Sequence, residues 1–288
     1  MKKIISLVLA ALMLLTSAAM FASCGKTEKK AKVIDIALSE EQYAFAVSKT
    51  DSELLGKVNE YLEKIKTDGT FDEICNHYFG DGAPVKYESK ALNESNKAGQ
   101  LIVATSTGFE PFEMVDQNGM FYGIDLEIAA GLAAFLGKEL VIQDMKFESV
   151  VTSVETGICN IGMAGLTITP ARMEQVTFSN SYYSANQVLI VKESDTTFDN
   201  CKTAEDVVAI LNAMDSSKKA GCQAGTTGEI YIKGDADDPD GYGFAGLKVT
   251  KMAYDYGALA VTAMLNGQID FVIIDDAPAK AIVATKNK

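Results

Sequence analysis

Two groups of side chains in this chain could hold a charged small molecule. Asp275 and Asp276 directly follow the apolar residues 271–274, a pattern typical of a buried strand that ends in polar side chains. A carboxylate at that point can bind a cation, or it can cap the helix that follows. The segment Thr226-Thr227-Gly228 opens a helical pattern after a glycine turn, where main-chain N–H groups favour an anion. An ordinary capped helix is the alternative for this segment.

Arg172 is a third candidate, because a guanidinium can bind a carboxylate through two parallel hydrogen bonds that lysine cannot copy. Its alternative role is a surface ion pair with Glu174. A catalytic pattern does not stand out: the chain has one histidine, His77, in the C-terminal half of a helical pattern, and no nucleophile motif. No two cysteines have a metal-ligand spacing, so the sequence predicts a binding site that uses neither metal nor cofactor.

Composition limits the class of protein and its partners. The chain has 288 residues, 48% of them hydrophobic, which suits one large or two medium domains. Its formal net charge of −13 repels nucleic-acid phosphates, so a DNA or RNA partner is not expected.

The N-terminus carries the localisation signal. Lys2 and Lys3 precede a nearly continuous apolar run over residues 4–20, as in a secretory signal. The Ala-Ser-Cys that ends at Cys24 resembles the processing site of bacterial lipoproteins, although Phe21 replaces the usual aliphatic residue. We expect residues 1–23 to be removed, Cys24 to carry lipid, and residues 24–32 to form a tether. An uncleaved transmembrane anchor is the alternative, with a run near the lower limit for spanning.

Hydrophobic periodicity predicts two α/β lobes. Short strands are expected at residues 33–37 and 43–47, followed by a helix capped at Asp51 or Ser52 and a second helix from Thr70 to Gly80. Residues 80–99 lose all periodicity and read as a linker. Beyond residue 100 strands and helices alternate in two runs, which predicts mostly parallel sheets flanked by helices. Ligands bind such sheets at the carboxyl ends of the strands, here in the cleft between the lobes.

Five segments in a fixed mutual order resemble the polar amino-acid solute-binding proteins of ABC importers. They are GFEPFE at 108–113, GID at 123–125, LTITPAR at 166–172, QAGTTG at 223–228 and VIIDDAPAK at 272–280. The resemblance covers nearly the whole mature chain. It implies the two-lobed, type II fold of periplasmic binding proteins, with a hinge of two crossover strands, expected at residues 43–47 and 187–191.

The order of segments departs from the family. The segment running from EEQYAFAVSK at 40–49 to NHYFG at 76–80 resembles one that normally follows the segment like residues 270–288. The sequence therefore resembles a circularly permuted member, in which residues 80–99 join the old termini. Lobe 1 is then expected at residues 39–189, and lobe 2 at residues 33–38 and 190–288.

The resemblance also implies roles for individual residues. Arg172, Thr167 and the segment Thr226-Thr227-Gly228 would hold the ligand's α-carboxylate. Asp275, preferred over Asp276, and the carbonyl of Ala164 would hold its α-ammonium. The remaining predicted ligand contacts are Ser106, Phe109, Phe147, Gly165 and Gln223.

The side chain of the ligand is predicted less sharply. The rings of Phe109 and Phe147 would enclose it, which suits an aliphatic chain or, better, a guanidinium through cation–π contact. Core packing is the alternative for Phe147. Ser106 stands where some cation-binding relatives carry an acid, which puts a basic ligand in doubt.

The function expected is an extracytoplasmic, lipid-anchored monomer that binds a polar L-amino acid and presents it to an ABC permease. Arginine or lysine is the first expectation, with glutamine or cystine next. The alternative is an enzyme resembling the dehydratases of arogenate and related cyclohexadienyl substrates that share this fold, with Glu110 or Asp275 as the cleft carboxylate.

Overall fold

The computed structural model describes residues 29–235 and 243–288. The predicted signal sequence, Cys24 and most of the predicted tether lie outside these residues. Ala31 and Lys32, assigned above to the tether, belong instead to the first strand. The strand begins there because its main chain pairs with Lys192 and Val191 of a neighbouring strand.

The elements are numbered in chain order. The strands are β1 (Ala31–Ile34), β2 (Glu41–Tyr43), β3 (Ala46–Ser48), β4 (Gln100–Thr105), β5 (Met114–Val115), β6 (Phe121–Tyr122), β7 (Glu139–Asp144), β8 (Ile161–Gly162), β9 (Val176–Phe178), β10 (Tyr183–Ala185), β11 (Gln187–Lys192), β12 (Lys219–Gln223), β13 (Thr250–Tyr254) and β14 (Phe271–Asp275). The helices are α1 (Ser52–Thr67), α2 (Thr70–Phe79), α3 (Ile124–Phe135), α4 (Phe147–Glu155), α5 (Pro170–Met173), α6 (Ala204–Ala213), α7 (Thr227–Lys233), α8 (Gly257–Leu265) and α9 (Asp276–Lys286).

Each lobe is built on one five-stranded sheet, so the two-lobed α/β fold is confirmed. Lobe 1 contains the sheet β7-β4-β8-β3-β9 with helices α1 to α5, and lobe 2 contains the sheet β1-β11-β14-β12-β13 with helices α6 to α9. Both sheets follow the same plan, in which three neighbouring strands are parallel and two more are added by antiparallel pairing.

The sheets are therefore mixed, where the sequence predicts mostly parallel ones. The antiparallel strands β3 and β11 each enter from the other lobe. Such a strand is not bound to its neighbour by a helical crossover, which is the connection that parallel pairing requires.

A two-stranded antiparallel ribbon, β2 with β10, joins the lobes. One crossing runs from β1 in lobe 2 through β2 to β3 in lobe 1, and the other runs from β9 through β10 to β11. This corrects the predicted crossings at residues 43–47 and 187–191. The first of those segments breaks at Ala44 and Phe45, because the chain changes partner there, and the second lies wholly in the lobe 2 sheet.

Burial explains why these segments form the elements they do. In α1 the buried residues Val58, Tyr61, Leu62 and Ile65 recur at helical spacing, and the Asp51 side chain accepts a hydrogen bond from the Leu54 N–H as an N-cap. Every residue of β4 is buried, as expected for a strand covered by helices on both faces. One apolar cluster extends from lobe 1 through Tyr43 of the ribbon and the neighbouring Tyr182 to Val272 in lobe 2.

The segment 80–99 runs over the surface of lobe 1 and is fastened by main-chain hydrogen bonds. Tyr87 exchanges two with Phe121, at 2.7 and 2.8 Å, and the Lys90 N–H donates to the Leu140 carbonyl at 2.9 Å. Residues 94–99 form two short 3-10 turns, separated by a kink at Asn96, that lead into β4. In the two described ranges, no helix is both long enough and apolar enough to span a membrane.

Candidate functional site

Eight of the residues predicted to contact a ligand surround one small cavity between the lobes. The residues are Phe109, Phe147, Gly165, Thr167 and Arg172 of lobe 1, and Thr226, Thr227 and Asp275 of lobe 2. The cavity volume is about 10 Å³, which is close to the smallest space that holds one water molecule. The lobes are thus closed onto each other at this point.

Strand ends position this set. Phe109 follows β4, Phe147 begins the helix after β7, and Thr226 follows β12. Asp275 is the last residue of β14. Because these strands are parallel within each sheet, their carboxyl ends lie at one edge, and the two edges face each other across the cleft.

Arg172 connects the two lobes. Its Nη1 donates to the Thr167 carbonyl at 2.6 Å, and its Nη2 donates to the Gly225 carbonyl of lobe 2 at 3.0 Å. The guanidinium carbon lies 5.2 Å from the centre of the Phe147 ring, a cation–π contact. The Thr169 side chain caps the short helix α5 by accepting a hydrogen bond from the Arg172 N–H at 3.1 Å. This bond fixes the position of the Arg172 main chain, from which the side chain extends. The arginine is thus held against its neighbours on three sides.

Asp275 is buried, with 3% of its surface exposed, and accepts a hydrogen bond from the Tyr43 hydroxyl at 2.6 Å. Burial, followed by the nearby charge of Glu41, raises its pKa to about 7. Asp276 does not line the cavity; it begins α9 and its N–H donates to the Asn186 carbonyl at 2.9 Å. The geometry therefore separates the two aspartates that the sequence left in competition.

Glu41 is a functional candidate that the sequence analysis missed. Its Oε2 accepts hydrogen bonds from Thr167 Oγ1 and Thr227 Oγ1, each at 2.7 Å. The signal was present, since Glu41 stands two residues before Tyr43 and alternate residues of a strand share a face. The prediction started this strand at Tyr43 and left Glu41 outside it, whereas β2 runs from Glu41 to Tyr43.

The aromatic walls differ in how freely they face the cavity. The ring of Phe109 packs against Phe112, with ring centres 5.9 Å apart, and against Gly165. A Cβ at Gly165, which has a positive φ of 53°, would lie 2.8 Å from the Phe109 ring. Only glycine fits that approach without displacing the ring. Phe147 is already stacked with Arg172, so a ligand side chain would share that ring with the arginine.

Four predicted ligand contacts do not line the cavity. They are Ser106, Ala164, Gln223 and Gly228. The Gln223 carbonyl accepts from the Thr226 hydroxyl at 2.8 Å, and Gly228 packs against the Ile273 carbonyl of β14, where a Cβ would lie 2.8 Å from the oxygen. Helix α7 spans only seven residues, so its dipole is weak. The hydroxyl of Thr227 is therefore the main group on this side of the cavity that could bind an anion.

A second pair of buried acids lies behind the lobe 1 wall. Asp125 accepts from the Gly165 N–H at 2.9 Å and from the Tyr182 hydroxyl at 2.5 Å, and burial raises its pKa to about 7. Glu113 is fully buried with both carboxylate oxygens unpaired. Burial, followed by the charge of Asp125, raises the pKa of Glu113 well above its usual range.

Outside the cavity an apolar groove of about 470 Å³ crosses the cleft mouth. It is lined by lobe 1 residues such as Glu110 and Tyr122 and by Tyr256 and Leu259 of lobe 2. An ion pair between Lys146 Nζ and Asp255, at 3.0 Å, also joins the lobes. Glu110 is exposed here and lies outside the small cavity, so it is a poor candidate for chemistry at the buried site.

The described residues contain neither a disulfide nor a cluster of metal-binding side chains. Cys75, Cys159, Cys201 and Cys222 are all free thiols. Within residues 29–235 and 243–288, no cluster of three or more His, Cys, Asp or Glu side chains could hold a metal ion. The Nδ1 atom of His77 lies 3.0 Å from Oε2 of Glu127, away from the cavity, so this contact has a structural role.

Comparison with known proteins gives the family. The family model of the bacterial extracellular solute-binding proteins, family 3, matches residues 101–234. The arginine-binding extracellular protein ArtP of Bacillus subtilis is 37% identical over 105 residues, which is 36% of this chain and 40% of the length of that relative.

Solved structures extend the likeness to the fold. The arginine-bound, truncated ArgBP of T. maritima is 34% identical, with a TM-score of 0.54, over 67% of this chain and 82% of that one. An ancestral amino acid-binding protein, AncCDT-1, described as a precursor of cyclohexadienyl dehydratase, is 30% identical over 66% of this chain and 75% of its own, with a TM-score of 0.54. On this identity and coverage, the chain belongs to family 3 of the bacterial extracellular solute-binding proteins.

Proposed function

We propose that this protein binds a polar L-amino acid in the cavity between its lobes, outside the cytoplasm, and delivers it to the permease of an ABC importer. The observation that carries the proposal is the convergence of Arg172, Thr167, Thr227 and Asp275 on one cavity flanked by Phe109 and Phe147. An α-amino acid needs a cation and donors for its carboxylate, an anion for its ammonium and a surface for its side chain, and this set supplies all three.

Arginine or lysine is the first ligand we propose, with glutamine or cystine next. The two aromatic rings favour a cationic side chain through their π faces. The relatives named above as arginine-binding support the same choice.

A thermal-shift screen of the twenty amino acids plus cystine and ornithine tests the proposal. A ligand at one hundred times its Kd stabilises the folded state by about 2.7 kcal/mol. For a protein of this size that is a rise in Tm of about 5 to 10 °C. If none of these amino acids raises the Tm, the proposal is wrong. Arg172→Ala is the matched control and should lose the shift.

An enzyme of the dehydratase type is the second candidate, because AncCDT-1, itself an amino acid-binding protein, is described as the precursor of such an enzyme. Asp275 is a buried carboxylate that lines the cavity, and the buried carboxylate of Glu41 accepts hydrogen bonds from two threonines that line it. Incubation of the protein with prephenate and with arogenate, followed by assay of the aromatic product, separates the two candidates. Turnover would replace the binding proposal, and we expect none.

We further propose that the protein is exported and anchored by lipid on Cys24. The apolar run and the Ala-Ser-Cys that ends at Cys24 support this. Cys24→Ala should move the protein from the membrane fraction to the soluble fraction of cells, and mass spectrometry of the N-terminal peptide should find a diacylglyceryl group only on the wild type. An unmodified Cys24 in membrane-bound protein would refute the assignment.

The circular permutation is also a proposal, with lobe 1 at residues 39–189 and lobe 2 at 33–38 and 190–288. It is supported by the match to ArgBP, which leaves a third of this chain and nearly a fifth of that one outside. A rearranged gene in which residues 31–80 follow residue 288, without the linker, should encode a monomer with unchanged amino-acid affinity. Failure of that protein to fold would contradict the proposed relation.

A further inference from the structure

The carboxylate of Glu41 lies at the junction of the two lobes. Glu41 is on ribbon strand β2, and 1% of its surface is exposed. Its Oε2 accepts from Thr167 Oγ1 of lobe 1 and from Thr227 Oγ1 of lobe 2, each at 2.7 Å. Its Oε1 accepts from Ser39 Oγ at 2.9 Å. A single carboxylate group thus joins one hydroxyl from each lobe.

The hydrogen-bond directions at these hydroxyls are fixed. A threonine hydroxyl has one proton to donate. Thr227 Oγ1 accepts from Gln187 Nε2 at 3.0 Å, so its own proton goes to Glu41. The Thr167 proton also goes to Glu41. Neither proton is available to another anion while these bonds persist.

Thr167 and Thr227 line the cavity, and the proposed function assigns them to the ligand's α-carboxylate. Glu41 therefore makes, from within the chain, the same kind of contact that a ligand carboxylate would make. Arg172 is engaged in the same way, because it donates to carbonyls of both lobes. The closed arrangement is held by groups that a ligand would have to take over.

We propose that Glu41 is an internal substitute for the ligand's α-carboxylate, which holds the two lobes together in the absence of an amino acid and thereby sets the affinity. The proposal rests on the proposed function through the roles of Thr167 and Thr227. A ligand must recover both hydroxyl protons from Glu41 and must do so against the repulsion of a second carboxylate.

The expected size of the effect follows from population arithmetic. When a fraction of the free protein is competent to bind, the apparent Kd is the intrinsic Kd divided by that fraction. If Glu41 keeps about nine tenths of the ligand-free molecules closed, its removal lowers the apparent Kd by about tenfold.

Isothermal titration with arginine and with glutamine tests the proposal on the wild type, Glu41→Ala and Glu41→Gln. We expect Glu41→Ala to bind the ligand about tenfold more tightly, and Glu41→Gln to fall between it and the wild type, because an amide oxygen still accepts one hydroxyl proton. Glu40→Ala is the matched control: Glu40 is the exposed neighbouring carboxylate, and its loss should leave the Kd unchanged. Circular dichroism should establish that each variant is folded.

Two results would overturn the proposal. Weaker binding of both amino acids by Glu41→Ala would mean that Glu41 orients the threonines for the ligand. Weaker binding of arginine with unchanged binding of glutamine would mean that Glu41 selects a cationic side chain.

A measurement without any ligand separates this proposal from the proposed function. In small-angle X-ray scattering, ligand-free Glu41→Ala should have a larger radius of gyration than the ligand-free wild type, because its lobes open about the ribbon. Equal radii would refute the internal closure. If the wild type bound no amino acid, the proposed function would fail while the scattering comparison still decided the role of Glu41.

Discussion

Replacing Asp275 with Asn should make the ligand-free protein more stable while it weakens ligand binding. Asp275 is 3% exposed, lies near Glu41 and accepts a hydrogen bond from the Tyr43 hydroxyl. The amide of Asn still offers an oxygen to Tyr43 but carries no charge. The substitution therefore removes a buried charge and keeps its hydrogen bond.

The magnitude follows from the pKa of Asp275, which burial and Glu41 raise from 3.8 to about 7. Each pKa unit corresponds to about 1.4 kcal/mol, so ionising Asp275 in the folded protein costs on the order of 4 kcal/mol. Between pH 3.8 and about 7 the folded state binds more protons than the unfolded state. The free energy of unfolding should therefore fall as pH rises through that window and level off above it.

Urea denaturation followed by circular dichroism at pH 4 and pH 8 measures the effect. Asp275→Asn should match the wild type at pH 4 and exceed its unfolding free energy by about 2 to 4 kcal/mol at pH 8. Part of the decline with pH should remain in the variant, because the pKa of Asp125 is also about 7. Asp276→Asn is the control, since Asp276 is only half-buried and does not line the cavity.

The same substitution should weaken binding of the amino acid, although it stabilises the ligand-free protein. Loss of the charge partner of a buried ammonium costs about 2 to 5 kcal/mol, so the Kd for arginine should rise at least about thirtyfold in isothermal titration. A variant no more stable than the wild type at pH 8 would refute the electrostatic argument, and an unchanged Kd would refute the ammonium assignment.

Three further predictions concern the site and the stability of the fold. Arg172→Lys should raise the Kd for arginine about 10- to 100-fold in isothermal titration, because an ammonium cannot reproduce the planar contacts of the guanidinium; an unchanged Kd would contradict this role. Gly228→Ala should lower the unfolding free energy, measured by urea denaturation, by about 1 to 3 kcal/mol, because its Cβ would clash with the main chain of β14. Gly56→Ala is the comparison: its Cβ would lie in open space on α1, so it should raise the unfolding free energy by about 0.5 to 1 kcal/mol. Glu127→Ala should lower the unfolding free energy by about 1 to 3 kcal/mol, because it removes the acceptor of partly buried donors, among them the Tyr78 hydroxyl; a change below about 0.5 kcal/mol would contradict the role of this carboxylate.

Much of the candidate site was predictable because the carboxyl ends of parallel strands lie at one edge of a sheet, so residues that follow these strands lie close together. Asp275 follows an apolar run, and Thr226 and Thr227 follow a strand and a glycine turn, so their place in the cleft follows from the α/β pattern. Gly228 does not line the cavity, for a local reason. It follows Thr227 on α7, but a helix turns about 100° per residue, and this turn points Gly228 toward β14 instead of the cavity.

The rest depended on contacts that no local pattern contains. Strand β13 begins only at Thr250, because the apolar Leu247 and Val249 that precede it pack into the core outside the sheet. The strand itself lies at the sheet edge and is largely exposed. The strand pattern could have placed Glu41 on the same face as Tyr43, but not its partners, because Thr167 and Thr227 are 126 and 186 residues away in the chain.

The position of β3 has a consequence for the order of folding. This strand is synthesised early on the ribosome, yet it lies inside the lobe 1 sheet, where Val47 pairs with Ile161 and Thr177. Likewise β1 pairs with β11, and β11 in turn pairs with β14. The chain must close loops of more than a hundred residues before either sheet is complete, and the rate of folding falls as the sequence separation of contacts grows. Until residue 178 has left the ribosome, α1 and β3 have no finished core against which to bury their apolar faces.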